Sequence, residues 1–430
     1  MPTKLTILTA ICLMAAILSI TIAALFRFTD PYRLSPSDIF NRWLSHPSLI
    51  IGMSSDGHTF GSITDDTTVD DGRDDERSDA EWQAGIRVKV VSLNWRSYMP
   101  SEGVADQGYV DRKRAEFAAL HQKGFKLILS LGIHDTPGWL HANYPNTRYL
   151  NQNGVAFNLE AQMDQGDANA VYNPKVRELM AIYIGRVFSD FGTEFWAVRI
   201  GGGRYGELTY PPASYSGQTN SYWAFDANAR AQSPTPGWLP GQPSPNGEAS
   251  RFLDWYHESL TQYELWQVST LRQYYSGQLM LLFPSWGIRP NQVDAAVAVN
   301  LNGSTSAEMN GEIQRGFDFA RQVAAINDPL VIVTTTWLDA DSSQDEGSDP
   351  SFWSPIKYLA SLANSHPLHL KLYGENTGDG SLADMQLSVS QMKKYGLIGL
   401  AWYKESQLFS GSFATITDYQ NTINQSKMTN

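Results

Sequence analysis

Phe195-Trp196-Ala197-Val198-Arg199-Ile200-Gly201-Gly202-Gly203-Arg204-Tyr205-Gly206-Glu207-Leu208-Thr209-Tyr210-Pro211-Pro212 is the stretch on which the fold turns. Its first six residues read as a short buried strand. Gly201, Gly202 and Gly203 then let the backbone turn sharply, because glycine adopts positive φ without a Cβ clash. Pro211 and Pro212 close the segment, so a carboxylate, Glu207, is carried on a loop just past a strand. A second carboxylate, Glu375, ends the run Leu368 to Gly374 in the same way. Gly201 to Gly206 also fits the dinucleotide pattern G-x-G-x-x-G, but that pattern requires a helix to begin at its last glycine. No helical periodicity starts there, so the glycines read as the turn that delivers Glu207.

The same alternation of strand and helix recurs on both sides. Eight β-type runs are expected: Leu49–Met53, Val88–Trp95, Phe125–Leu131, Phe195–Ile200, Leu279–Phe283, Leu330–Thr335, the Leu368 run and Leu397–Trp402. Helical patterns separate them at Ala80–Ala84, Asp111–Gln122, 173–191, 251–275, Ile313–Ala325, 355–364 and Ala383–Tyr395. The clearest is 173–191, where Asn173 caps, Pro174 suits the first turn and apolar residues recur at three- and four-residue steps. Short, continuously apolar strands between amphipathic helices imply a parallel sheet covered on both faces. Eight such units predict an α/β fold, a TIM (β/α)8 barrel. That pattern needs only about 250 residues, so long βα loops must hold the surplus. The largest, 209–250, is expected to wall the site at the barrel mouth.

The chain is divided here into three parts. Residues 1–27 contain an uncharged, almost wholly apolar stretch, 5–25, long enough to cross a bilayer, and a transmembrane anchor or signal peptide is expected. Residues 28–46 read as linker and lead-in, and 47–430 as the barrel. An anchored or secreted protein with its barrel outside the cytoplasm follows as the expectation. The net charge of −12 opposes a nucleic-acid partner, which would need clustered Lys and Arg. The one cysteine, Cys12, precludes an intrachain disulfide. The histidines show no ligand spacing, and the acidic stretch 65–79 does not match an EF-hand loop, so it reads as solvated. No metal and no cofactor are expected.

Cleavage of a glycosidic bond needs one carboxylic acid to protonate the leaving oxygen and a second carboxylate as nucleophile or base, with about 5–5.5 Å between them for retention and about 6.5–9.5 Å for inversion. Glu207 and Glu375, past strands four and seven, are the candidate pair. Thirteen Trp, twenty Tyr and eighteen Phe supply rings for stacking on sugars, although aromatic cores use them as well. Trp95, Trp139, Trp286, Trp337 and Trp402 all fall at or just past strand ends and are the candidate platforms. His134 and Asp135 are placed to bind sugar hydroxyls, with Tyr205 and Asn376 flanking the two glutamates. Asn94, Asp339 and Lys404 are further polar candidates. The G-x-S-x-G elbow and the H-E-x-x-H helix of other hydrolases do not occur.

Gly203-Arg204-Tyr205-Gly206-Glu207-Leu208-Thr209-Tyr210-Pro211 resembles the segment carrying the acid glutamate in beta-amylases, glycoside hydrolase family 14. Gly374-Glu375-Asn376 resembles the segment carrying that family's second glutamate. Thr136-Pro137-Gly138-Trp139-Leu140, Tyr144-Pro145 and Asn173-Pro174 are similar to stretches of bacterial beta-galactosidases, glycoside hydrolase family 42. Family 42 carries an Asn–Glu pair directly after strand four, where this chain has Gly201-Gly202. Past Asn376 the chain departs from the usual beta-amylase continuation. The resemblance implies a barrel glycosidase distantly related to both, acting on an oligo- or polysaccharide, with Glu207 as general acid. A catalytically silent carbohydrate-binding barrel and a transglycosylase are the alternatives.

Overall fold

The structure, a computed structural model, describes residues 58–64, 74–158 and 167–428. Eight parallel strands form a closed ring in chain order. They are β1 (Thr59–Ile63), β2 (Val88–Ser92), β3 (Lys126–Ser130), β4 (Ala197–Ile200), β5 (Gln278–Phe283), β6 (Val331–Thr335), β7 (Lys371–Glu375) and β8 (Gly399–Trp402). The ring shuts where β8 pairs with β1, Phe60 opposite Leu400 and Ser62 opposite Trp402.

Each strand is apolar on both faces because each face is covered. Val88, Val90, Ile128, Ala197, Met280, Leu282, Ile332, Tyr373 and Ala401 meet inside the ring. Their sequence neighbours point outward and join the larger core beneath the helices, with Val91, Leu129, Val198, Leu281, Val333 and Leu372 among them. Lys89 also faces outward. It is buried between Glu81, 2.6 Å away, and Glu405, 3.2 Å away, on two flanking helices. A buried cation is tolerable only with such partners.

The covering helices begin and end for local reasons. In α1 (Pro174–Phe191), the Asn173 side chain accepts from the amides of Lys175 and Val176, Pro174 occupies the first turn, and Val176, Leu179, Met180, Tyr183, Ile184, Val187 and Phe188 are buried. The next long helix, α2 (Glu248–Leu271), buries fourteen of its residues. Between the two, the 213–247 segment packs down through a buried stretch, Ser221–Asp226, and through Trp238. Tyr222, Trp223, Phe225 and Trp238 are buried, and rings of this group contact Phe252 and Tyr256 on α2. Phe225 N–H donates to the Leu150 carbonyl, tying this stretch to the segment after β3.

The first strand differs from the sequence expectation. Leu49–Met53 lies outside the described residues, and Thr59–Ile63 closes the ring. With Gly61 and Ser62 at its centre, this strand carries little of the branched apolar signal that marks the other seven. The 5–25 stretch and acidic residues 65–73 also lie outside the described residues. Among the described residues no helix is long and apolar enough to cross a membrane.

Ring closure depends on a bare backbone at Gly399. A Cβ there would meet the Thr59 carbonyl oxygen at 2.4 Å and the Tyr373 ring at 2.8 Å. Gly399→Ala is therefore expected to cost about 1–3 kcal/mol of stability, the usual range for overpacking. Urea unfolding followed by circular dichroism measures it.

Candidate active site

After Ile200 the chain leaves the ring and folds back on itself. A Cβ on Gly201 would lie 2.3 Å from the Gly206 carbonyl oxygen, and one on Gly202, at φ +73°, would lie 2.2 Å from the Tyr263 hydroxyl. The Gln267 side-chain amide brackets Gly201, accepting from its N–H at 3.0 Å and donating to its carbonyl at 3.2 Å. A three-residue turn, Arg204–Gly206, follows, and Gly203 N–H donates to the Glu207 carbonyl at 2.8 Å. The next residue locks onto the sheet, with Leu208 N–H donating to the Leu282 carbonyl of β5 at 3.1 Å. No helix begins at Gly206, so the glycine pattern makes a turn and not a dinucleotide cradle.

Glu207 is thereby held at the C-terminal mouth, half-buried. Its Oε1 accepts from the Thr336 hydroxyl at the end of β6, at 2.9 Å. Burial pushes its carboxyl up to about 6, helped by the charge of Glu375 and opposed by the Thr336 hydrogen bond and by Arg315 and Arg199. Glu375 sits at the end of β7, 3% exposed. Its Oε2 accepts from Arg199 Nη2 at 2.8 Å, while its Oε1 has no hydrogen-bond partner among the described residues. Burial raises this carboxyl too, and the Arg199 guanidinium opposes the rise.

A further acidic group lies after β3. His134 stands beside the Glu207 loop, since a Cβ on Gly206 would be 3.9 Å from its ring. The His134 Nε2 lies 3.7 Å from Asp135 Oδ2. Burial pushes Asp135 up to about 6, against the pull of Arg96. Asp167 is pushed up to about 7 by burial and by Asp135, opposed by Arg204 and Arg315. Carboxyls raised by burial and by one another are what a reacting or ligand-binding cleft tends to hold.

The aromatic candidates separate into two groups. Trp95 and Trp402 are fully buried. Trp95 stacks on Tyr183 at 5.1 Å, and Trp402 lies 6.2 Å from Tyr419. Neither presents a face to a ligand. Ala401 points into the ring, so its neighbour Trp402 must point out towards the helices. Trp139 packs on the core with its indole N–H donated to the Met99 carbonyl at 2.8 Å. Trp286 and Trp337 stay partly exposed after β5 and β6, and Trp337 adjoins Thr336. Tyr205 is 55% exposed on the Glu207 loop, with the Arg204 guanidinium 5.0 Å from its ring centre.

Several polar candidates serve the backbone. Asn94 caps the turn Trp95–Tyr98 by accepting from Ser97 N–H. Asn376 is a clamp, donating to the Tyr403 carbonyl at 2.9 Å and accepting from its N–H at 2.6 Å. Asp339 accepts from both the N–H and the hydroxyl of Thr377, and Lys404 precedes a short helix as its cap residue. The residues that sequence reading passed over are Arg199, Arg315, Thr336 and Asp167. Arg199 carried a signal: a cation two residues from Ala197 in an apolar strand shares its inward face. Asp167 carried none, because its approach to Asp135 is made by the fold.

No family model matches the chain, and no curated protein matches it by sequence. Among solved structures, the catalytic domain of a beta-amylase from Paenibacillus polymyxa is similar with TM-score 0.65 and 15% identity, over 86% of this chain and 99% of that one. A beta-galactosidase from the psychrophilic Marinomonas ef1 is similar with TM-score 0.52 and 12% identity, over 80% of this chain and 54% of that one. One from the Antarctic haloarchaeon Halorubrum lacusprofundi gives TM-score 0.54 and 12% identity, over 86% and 58%. The chain thus spans somewhat more than half the length of the beta-galactosidases. At such identities the likeness is one of fold: this chain is built on the (β/α)8 barrel that these glycoside hydrolases share.

Proposed function

We propose that the protein hydrolyses O-glycosidic bonds of an oligo- or polysaccharide, with Glu207 as general acid and Glu375 as the opposing carboxylate. The observation that carries this reading is the pairing of the two groups at one mouth in different surroundings. Glu207 is half-buried with a raised pKa and one neutral hydrogen-bond donor, whereas Glu375 is buried against a guanidinium. Environments that differ in this way assign acid and base roles to two similar carboxyls.

In the reaction, Glu207 gives its proton to the glycosidic oxygen as the bond from that oxygen to the anomeric carbon breaks. The bonding electron pair leaves with the departing sugar. Glu375 takes a proton from a water molecule whose oxygen forms the new bond to the anomeric carbon, and exchange with solvent restores both groups. Inversion of the anomeric centre follows, in keeping with the resemblance of the Glu207 segment to the beta-amylase one. Trp286, Trp337 and Tyr205 offer ring faces to the sugar, and His134, Asp135 and Asp167 offer polar groups. The uncharged 5–25 stretch supports a barrel tethered to a membrane or exported, where polysaccharides lie.

Glu207→Gln is expected to lower kcat on natural glycosides by roughly 10²–10⁴-fold, the usual worth of general acid catalysis, with an unchanged circular dichroism spectrum. Aryl glycosides with acidic phenol leaving groups, which need no protonation, should lose much less. Full activity of this variant on a proven substrate would exclude the assignment. Proton NMR of the first product reads the stereochemistry.

The pH dependence has a definite sign. A general acid works only when protonated, so kcat/KM should fall as pH rises through about 6. The Glu207→Gln variant should lack this descending limb. Rate measurements from pH 4 to 9 test it.

A further inference from the structure

The lumen of the ring is lined by apolar side chains from all eight strands, and one arginine intrudes. Arg199 lies on β4 two residues past the inward-facing Ala197, and its guanidinium reaches Glu375 across the ring. Both side chains are almost wholly withdrawn from water, at 10% and 4% exposure. Arginine stays charged at every pH the protein meets. We propose that Arg199 is the positioning residue that keeps Glu375 ionised and aimed at the substrate, so that Glu375 can act as the base. This inference rests on the glycosidase reading above.

The pair is poorly explained as a structural brace. A buried ion pair is often no better for stability than apolar side chains of the same volume, and the deeper layers of the lumen are filled by such side chains. The contact is also incomplete. Arg199 bonds through Nη2 alone, and its Nε has no hydrogen-bond partner among the described residues, as is true of Glu375 Oε1. Arginine–carboxylate pairs frequently use both prongs of each fork, and this one does not. Here one carboxylate oxygen is held and the other is buried without a hydrogen-bond partner among the described residues, at the mouth end of β7. The outward Lys89 shows the contrast, since it contacts two carboxylates and faces no cavity of the mouth.

Among the described residues, the titratable groups that face Glu375 are Arg199 from β4, Glu207 from the loop after β4, and Tyr373 from its own strand. Glu207 and Tyr373 disfavour a negative charge on Glu375 or are indifferent to it when neutral. Arg199 is the one that favours it. Without Arg199, burial acts on Glu375 unopposed and the group is protonated over more of the pH range in which Glu207 must also be protonated.

The test is the pH profile of Arg199→Met, with Arg199→Lys as the conservative partner. The expected result is an ascending limb of kcat/KM moved up by about one pH unit or more, a peak value reduced at least tenfold, and a limb partly restored in Arg199→Lys. An unmoved limb, or a loss uniform across pH that lysine does not relieve, would overturn the proposal and leave the two-glutamate reading standing. A second readout does not depend on turnover. Urea stability of wild type, Arg199→Met, Glu375→Gln and the double variant is measured at pH 5 and pH 8. An unpaired buried carboxyl has a folded pKa above its unfolded value, so it costs stability as pH rises. The loss caused by Arg199→Met should therefore be larger at pH 8 and should lose most of its pH dependence when Glu375→Gln is added, the remainder coming from Glu207, which Arg199 also affects. A loss independent of pH overturns the proposal even if wild type hydrolyses no glycoside, the outcome that would instead remove the reading on which it rests.

Discussion

A sheet closed upon itself has no edge, so each residue of each strand faces either the lumen or the helices, and the two directions alternate without exception along the strand. That constraint governs the rest of the molecule. It makes the strands apolar on both sides, sends Ala197 and Ala401 inward, and turns Trp402 and Lys89 outward. It also sets a place for charge. Arg199 and Glu375 continue the inward-facing series of β4 and β7, at the end where the lumen opens into the loops.

The loop bearing Glu207 is fixed by its own backbone and by its neighbours. Three glycines permit a path in which backbone meets backbone, the Gln267 amide fixes its start, and the Leu208 amide fixes its end to β5. A carboxyl mounted in this manner has little conformational freedom left, the condition the proposed general acid requires. Its raised pKa comes from the same arrangement, since the turn takes the side chain partly out of water. The hydrogen bond from Thr336 and the positive charge of Arg315 restrain the shift, so the group stays within reach of neutral pH.

The mouth gathers the carboxyls of Asp135, Asp167, Glu207 and Glu375 among Arg199, Arg204 and Arg315. Such a concentration of buried charge is costly to fold, and it is placed where the strands end and the loops begin. The remainder of the chain offsets that cost with ordinary packing: buried aromatics within 213–247, long helices with capped ends, and a lumen filled by branched and small side chains.

Periodicity and punctuation in the sequence were enough to determine seven of the eight strands, the main helices, the parallel ring and the two strand-end glutamates. These follow from local rules: alternation, turn glycines and caps act over a few residues and leave their marks in order along the chain. The first strand escaped because Gly61 and Ser62 dilute its apolar signal and because ring closure, not propensity, recruits Thr59–Ile63. Which tryptophans stay partly exposed was decided by the tertiary structure, since one residue of offset at a strand end exchanges surface for core. Trp95 and Trp402 went to the core, and Trp286 and Trp337 stayed partly exposed. Asn376 likewise turned to the backbone of Tyr403. The pairing of Arg199 with Glu375 and the approach of Asp167 to Asp135 join residues far apart in the chain, and electrostatic partnership of that kind depends on distance in space, which no local pattern encodes.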